Sequence, residues 1–400
     1  MWWVSVISLG VLLLFWTLAL LKMLKGDPKP PEYVLDDETT PDPLPDTLSL
    51  SVVIPARNEA HNIEACVRSV LSTRWSGPLQ VVVIDDRSTD GTGEILARIA
   101  AEDDRLLVVE GADPPSGWLG KPHALHLAQK AATGDWLMFI DADVVLDPLG
   151  PQRIIGRAAS QEIGMCSGLG RLVVESFWEK VMMTRMGGVI AGGNPLEEVN
   201  DPEHERALAN GQCLIFSRAT YDAMGGHEAI KGSVLDDVDF ARKAKAEKVP
   251  YRLYFAPGVF RCRMYTGFKE IWEGWTKNLF PALEYSYWVT FIVTVLLFAS
   301  TVLPFVLLAK NLVWMAAGYP VDPTILGLEI GICAVALAMD FQGHRTHGYA
   351  AGTFWTFPLG MFLIVVLFWR SAWRIGSGKG AVWKGRVVEA GGRPQKPSGD

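Results

Sequence analysis

The chain is 400 residues long, 49% hydrophobic and 20% charged, with a mean hydropathy of +0.18. That is too apolar for an ordinary soluble enzyme and too charged for a chain wholly embedded in lipid, so a soluble domain joined to membrane segments is expected. A net charge of −7 lacks the basic excess that tracks a phosphate backbone, which speaks against nucleic acid as a partner.

The N-terminal stretch WWVSVISLGVLLLFWTLALL has the length of a transmembrane helix. It has neither the basic n-region nor the small-residue cleavage site of a signal peptide, so residues 1–24 are expected to be an uncleaved anchor. Lys22 and Lys25 follow the apolar run. By the positive-inside rule they put the next domain in the cytoplasm, in a multi-pass protein of the inner (plasma) membrane. Residues 25–47 are rich in Pro and Asp, the composition of a stiff, solvated tether.

Residues 48–265 alternate apolar strands with amphipathic helical stretches. SVVIPA, LQVVVIDD, RLLVVEG and WLMFIDAD read as strands; HNIEACVRSVLST, TGEILARIAAED and HALHLAQKAATG read as helices. Such repetition predicts an α/β fold, a mostly parallel sheet with helices on both faces. Residues 266–286 interleave aromatic and charged side chains, as an interfacial amphipathic helix does. Residues 287–370 hold three apolar segments, of which Ile325 to Met339 is the shortest. A basic tail, residues 371–400, ends the chain. Four full spans from an outside N-terminus would leave that tail outside, against its charge, so a re-entrant or split segment is also compatible with the sequence. The five cysteines contain no C-x-x-C pair and read as buried thiols of a reducing compartment.

The polar clusters PARNE, DDRSTD and DAD all begin at strand carboxyl ends, where ligands bind in open α/β sheets. Pro55, Arg57 and Glu59 open the first; Asp85 and Asp86 open the second. Carboxylates and amides there can accept from base N–H groups and ribose hydroxyls. No G-x-x-x-x-G-K-[ST] or G-x-G-x-x-G occurs, which argues against P-loop and dinucleotide-binding readings. Lys121 precedes a predicted helix beginning near Pro122, well placed for a diphosphate. His123 and His126 lack a third ligand and read as packing residues. Asp141 and Asp143, on one side of an extended chain by alternation, call for a divalent cation, Mg²⁺ or Mn²⁺. Asp236, Asp237 and Asp239 open another helix. The dipole and capping explain such carboxylates in part, and one of them could serve as general base toward an alcohol.

In this order P-A-R-N-E, D-D-x-S-T-D-G-T, G-K-x-x-A-L, D-A-D and L-D-D-V-D resemble the family-2 glycosyltransferases, over roughly Leu48 to Phe280. The resemblance implies a GT-A fold and an inverting single displacement from a nucleotide-diphosphate sugar, a UDP-sugar first among them, with a divalent metal. By position, Pro55, Glu59 and the Asp85–Asp86 pair would hold the nucleoside, with Arg57 of the same cluster beside the substrate. Lys121 would sit near the diphosphate. Asp143 would ligate the metal, and Asp141 would support sugar or metal. Asp237 matches the second acidic residue of the family's E-D motif; Asp236 stands where Glu is common, which leaves the base between these two. Processive members carry Q-x-x-R-W; here W-E-G-W, Trp272 to Trp275, keeps only the final Trp. Gly274 in place of Arg favours a single transfer over polymer synthesis. The membrane segments are similar to those of enzymes that glycosylate lipids, including ceramide glucosyltransferases and carotenoid- or hopanoid-associated bacterial enzymes. That likeness implies a lipid acceptor passing Trp272 and Trp275.

Overall fold

The computed structural model describes residues 2–25, 30–349, 351–377, 381–383 and 386–388. The chain divides into two compact units, one carried mainly by Lys29–Val173 and Ala191–Met264, the other by the N-terminal helix, Val174–Ile190 and Tyr265–Trp383. In chain order the elements up to the middle of the molecule are α1 (Trp2–Lys25), β1 (Leu50–Ala56), α2 (Ile63–Leu71), β2 (Leu79–Asp85), α3 (Thr92–Glu102), β3 (Leu106–Glu110), α4 (Gly120–Gln129), β4 (Trp136–Ile140), β5 (Val144–Leu146), α5 (Gly150–Ser160), β6 (Met165–Leu169) and β7 (Arg171–Leu172). There follow α6 (Thr184–Gly193), α7 (Leu196–Asn200), β8 (Cys213–Ser217), α8 (Arg218–Ala223), α9 (Asp236–Ala246), β9 (Tyr251–Phe255), β10 (Phe260–Cys262), α10 (Phe268–Ala282), α11 (Tyr287–Leu297), α12 (Leu303–Ala316), α13 (Pro323–Thr346) and α14 (Phe357–Gly376).

The first unit is built on a seven-stranded sheet of order β3-β2-β1-β4-β8-β6-β9. β1 to β4 run parallel, and β8 is antiparallel to both its neighbours. The strands are apolar on both faces, as a covered sheet requires. Val52 and Ile54 join a core with Ile63, Val67, Leu96 and Ile99 of α2 and α3. Val53, one residue out of phase, packs with Leu125 and Ala128 of α4 and Phe240 of α9 on the other face. The β1–β2 register pairs Pro55 with Ile84 and Ala56 with Asp85, so the first two polar clusters leave the sheet side by side.

Residues 31–46 depart from the expected solvated tether. Leu35 is fully buried, its N–H donates to the Phe255 carbonyl at 2.8 Å, and its own carbonyl accepts from Gly258 at 2.9 Å. Arg153 donates to the carbonyls of Thr39 and Asp37 at 2.9 and 3.0 Å, and Arg157 pairs with Asp42 at 3.0 Å. A Pro-rich segment lacks the donors to pair its backbone regularly; here turns of its own, backbone partners at Phe255 and Gly258, and arginines of α5 satisfy part of it.

Among the described residues of the second unit four segments are long and apolar enough to cross a membrane: Trp2–Lys25, Tyr287–Ala316, Pro323–Thr346 and Ala351–Gly376. The second and fourth are composite, the second carrying a π-helical turn at Phe298–Val302. The segment expected to be shortest is thus a 24-residue helix, α13. α1 lies along α13, with Leu13 against Gly331 and Met23 against Gly343, small residues letting two helices approach. α10 is tied to α14 by Ser371, whose hydroxyl donates to the Thr276 carbonyl at 2.6 Å and accepts from the Phe280 N–H at 2.9 Å. α14 continues through Gly376, so the expected tail begins as helix; Lys379, Lys384 and the last residues lie outside the described ones.

Candidate active site

The PARNE and DDRSTD loops are stitched together at the ends of β1 and β2. Asn58 donates its N–H to Ser88 Oγ at 3.0 Å and accepts from the Thr89 N–H at 2.9 Å through its side chain. Asn58 and Arg87 both adopt positive φ, 51° and 58°, a conformation Asn tolerates better than most residues. The two carboxylates of the second cluster divide their work. Asp85 accepts from the Ser88 N–H at 2.9 Å and so closes its own turn. Asp86 is held by Arg57 at 3.7 Å and by Arg87 at 3.2 Å, and Arg57 also donates to the Asp86 carbonyl at 2.6 Å. Arg87, which the sequence reasoning passed over, bridges Asp86 to Asp113. Glu59 sits at the foot of this corner, donating its N–H to Thr92 Oγ1 at 2.9 Å and accepting from Asn62 at 3.2 Å; Pro55 is the penultimate residue of β1.

The D-A-D stretch is not extended. β4 ends at Ile140, and the Val144 N–H donates to the Asp141 carbonyl at 3.1 Å, closing a turn over Ala142, which is buried. The apolar run ends at Ile140, immediately before Asp141, and the turn presents the carboxylates. Cys66 lies beneath, its thiol 3.7 Å from the Asp141 carbonyl, and the Cys262 thiol hydrogen-bonds to Asp143. Burial, then the charges of Asp143 and other acidic neighbours, pushes both thiols well above their ordinary pKa, so they stay protonated and unreactive.

Lys121 lies in the first turn of α4 rather than before it. Its ammonium is 2.7 Å from Asp141 Oδ1 and 4.0 Å from Asp236 Oδ2. Burial works against its charge, but Asp141 and Asp236 outweigh this and raise its pKa. Asp237 accepts from two backbone N–H groups, Gly211 at 2.6 Å and Val238 at 2.8 Å. Burial first, then the Asp236 charge, raises the Asp237 pKa, with Lys121 opposing. Gly211 was not singled out from the sequence; its signal is a lone glycine at the mouth of β8. Asn210 anchors that loop, donating from its side chain to the Gly168 carbonyl at 2.9 Å and from its N–H to Ser167 Oγ at 2.8 Å. His123 is buried and His126 partly so; both rings pack on Trp118, as expected of packing residues.

The fold thus brings Lys121, Asp141, Asp236 and Asp237 into one cluster, with Asp143 in the same turn as Asp141. Its donors are oxygens, as a hard divalent cation demands. Among the described residues no three His, Cys, Asp or Glu side chains gather closely enough to hold a metal. A divalent cation held by Asp143 and Asp141 would have to complete its shell from water and substrate phosphate. Trp272 and Trp275 belong to the second unit. Trp272 stacks on Phe268 with centroids 5.2 Å apart and carries the Arg370 guanidinium at 5.6 Å. The Trp275 indole N–H faces Met183 Sδ at 3.3 Å. A Cβ at Gly274 would stand 2.2 Å from the Tyr265 hydroxyl, so an arginine does not fit there.

The family model described as glycosyl transferase family 2 matches residues 51–223. A 4,4'-diaponeurosporenoate glycosyltransferase of Staphylococcus haemolyticus is 28% identical over 236 residues, 58% of this chain and 61% of the relative. The protein of the same name from Staphylococcus aureus is 28% identical over 235 residues, 58% and 60% of the two chains. The match spans about three fifths of the length of these curated relatives. Among solved structures, a mannosyltransferase from Pyrobaculum calidifontis in complex with GDP-Man and Mn²⁺ superposes over 93% of this chain and 97% of its own, with a TM-score of 0.50 and 18% identity. The first unit has the GT-A fold, and residues 51–223 match the model described as glycosyl transferase family 2.

Proposed function

We propose that the protein transfers one sugar from a nucleotide-diphosphate donor, a UDP-sugar first among them, to a hydroxyl of a membrane lipid, with inversion at the anomeric carbon. The observation that carries this reading is the cluster in which Lys121 lies 2.7 Å from Asp141 and 4.0 Å from Asp236. It joins the strand-end carboxylates to the acidic start of α9. The Asp86–Arg57–Arg87 corner, with Pro55, Glu59 and the turn closed by Asp85, takes the nucleoside, and Lys121 meets the diphosphate. Asp143, supported by Asp141, would hold Mg²⁺ or Mn²⁺, which when bound neutralises charge on the leaving diphosphate. Asp237, held rigid by two N–H groups, takes the proton from the acceptor oxygen as that oxygen bonds to the anomeric carbon and the nucleoside diphosphate departs. Burial, and after it the Asp236 charge, raises the Asp237 pKa toward the range useful for a base at neutral pH. Trp272 and Trp275 are assigned to the lipid acceptor, and Lys22 with Lys25 at the end of α1 to the cytoplasmic face of the plasma membrane.

A second reading concerns the nucleophile. The Staphylococcus relatives are named for a carboxylate, as the ending of diaponeurosporenoate denotes. A carboxylate acceptor carries no proton at neutral pH and would make no demand on a base. The test uses the purified full-length chain, a panel of radiolabelled nucleotide sugars and a membrane lipid extract. Label extractable into organic solvent, one sugar per lipid by mass spectrometry, is expected. A ladder of oligosaccharides would instead favour a processive polysaccharide synthase, and an alkali-labile ester product the carboxylate acceptor.

A further inference from the structure

The Lys121 ammonium faces the carboxylates of Asp141 and Asp236, feels the charge of Asp237, and a fourth carboxylate, that of Asp143, lies in the same turn as Asp141. The ammonium is in direct contact with Asp141 at 2.7 Å and within 4.0 Å of Asp236. A Cβ at Gly211 would stand 3.4 Å from it and 3.3 Å from Asp237 Oδ2, so it also borders the loop that holds Asp237. The stem is fixed at its root, because Pro122 and His123, next in α4, are buried. Its head is not, because the Lys121 and Asp141 side chains are 36% and 33% exposed. It is a charge on a flexible arm with a fixed base, free to exchange one anionic partner for another.

We infer that Lys121 is a stand-in cation that makes metal binding conditional on the nucleotide. At 2.7 Å from Asp141 Oδ1 it occupies the carboxylate that would support a divalent cation on Asp143. A metal arriving alone meets a like charge beside its seat and finds one supporting carboxylate committed elsewhere. A diphosphate offers the ammonium a more highly charged partner and the metal the oxygens that this site lacks, so the two bind with positive coupling. The coupling is reciprocal: nucleotide tightens metal by the same factor as metal tightens nucleotide. Lys121 is therefore a positioning residue for the metal as well as a phosphate contact. This inference rests on the nucleotide-sugar reading of the same site.

The experiment titrates Mn²⁺ into the full-length protein by electron paramagnetic resonance, without and with saturating UDP, for wild type, Lys121→Met and Lys121→Arg. In wild type UDP should tighten Mn²⁺ at least tenfold. In Lys121→Met, Mn²⁺ alone should bind about tenfold tighter than to wild type and the UDP effect should shrink to about twofold or less. Lys121→Arg, which keeps the charge, should keep the coupling. If Lys121→Met does not fold, Lys121→Gln takes its place, with the same expected values. An unchanged Mn²⁺ affinity and coupling in the neutral variant, with normal wild-type behaviour, overturns the inference and leaves the functional reading intact. Wild type that binds no Mn²⁺ even with UDP overturns both.

Discussion

The backbone N–H of Gly211 donates to Oδ2 of Asp237 at 2.6 Å, and a methyl group at Gly211 would stand 3.3 Å from that oxygen. The residue proposed as base is thus oriented by a loop 26 positions earlier in the chain, at the mouth of β8. Gly211→Ala forces that oxygen or the loop to give by a few tenths of an ångström. Turnover should fall about tenfold, equivalent to ~1.4 kcal/mol in the barrier, while UDP affinity stays within about twofold. Steady-state kinetics beside a UDP titration check this.

The raised pKa of Asp237 has two pH consequences. Burial, then Asp236, makes the protonated form more favourable in the fold than in the unfolded chain. The stability this contributes is complete below the ordinary carboxylate pKa and is lost as pH rises through the raised value. In the ligand-free protein the melting temperature of Asp237→Asn relative to wild type should therefore be greatest in alkaline buffer and decline as pH falls through the Asp237 pKa. Turnover of wild type should decline over the same interval, since only the ionised carboxylate accepts a proton.

Asp143→Asn removes the carboxylate assigned to the metal and leaves the Arg57–Asp86 corner untouched. Mn²⁺ should no longer strengthen UDP binding, whereas UDP binding in the presence of chelator should match wild type. Calorimetric titration of both proteins, with and without Mn²⁺, gives the comparison.

In the second unit, Arg185 of α6 pairs with Asp340 of α13 at 2.8 Å, with side chains 2% and 6% exposed. Arg185 also donates to the carbonyls of Val181 and Thr353 at 2.7 and 3.1 Å. Arg185→Met leaves the buried Asp340 carboxylate beside His344, 3.6 Å away, but without its arginine, and should destabilise the protein by about 3–5 kcal/mol. The double variant Arg185→Met, Asp340→Leu should recover most of the loss, because no uncompensated charge remains. Thermal unfolding in detergent reads both.

Strand ends were legible because apolar runs stop where polar clusters start, and the sheet needs only that punctuation to place PARNE, DDRSTD and DAD together. The shape of the chain at Asp141 was not legible. The unbroken apolar run through Ile140 carries no mark that the next residue turns, and the turn is set by the Asp141 carbonyl and the Val144 N–H. Asp85 and Asp86 looked equivalent in sequence; their separate roles follow from Ser88, Arg57 and Arg87, which long-range packing brings up. Leu35 was hidden in a Pro/Asp-rich stretch whose composition speaks for solvent, yet one buried leucine and the arginines of α5 hold that stretch to the sheet. The Lys121 contact with Asp141 joins residues 20 positions apart on different elements, which spacing alone does not reveal.

The most direct measurement is transfer of labelled sugar to lipid by Asp237→Asn, compared with wild type in the same membrane mimetic at neutral pH. The account predicts a loss of at least about a hundredfold in transfer, with Mn²⁺-dependent UDP binding preserved. Wild-type turnover in that variant would contradict it.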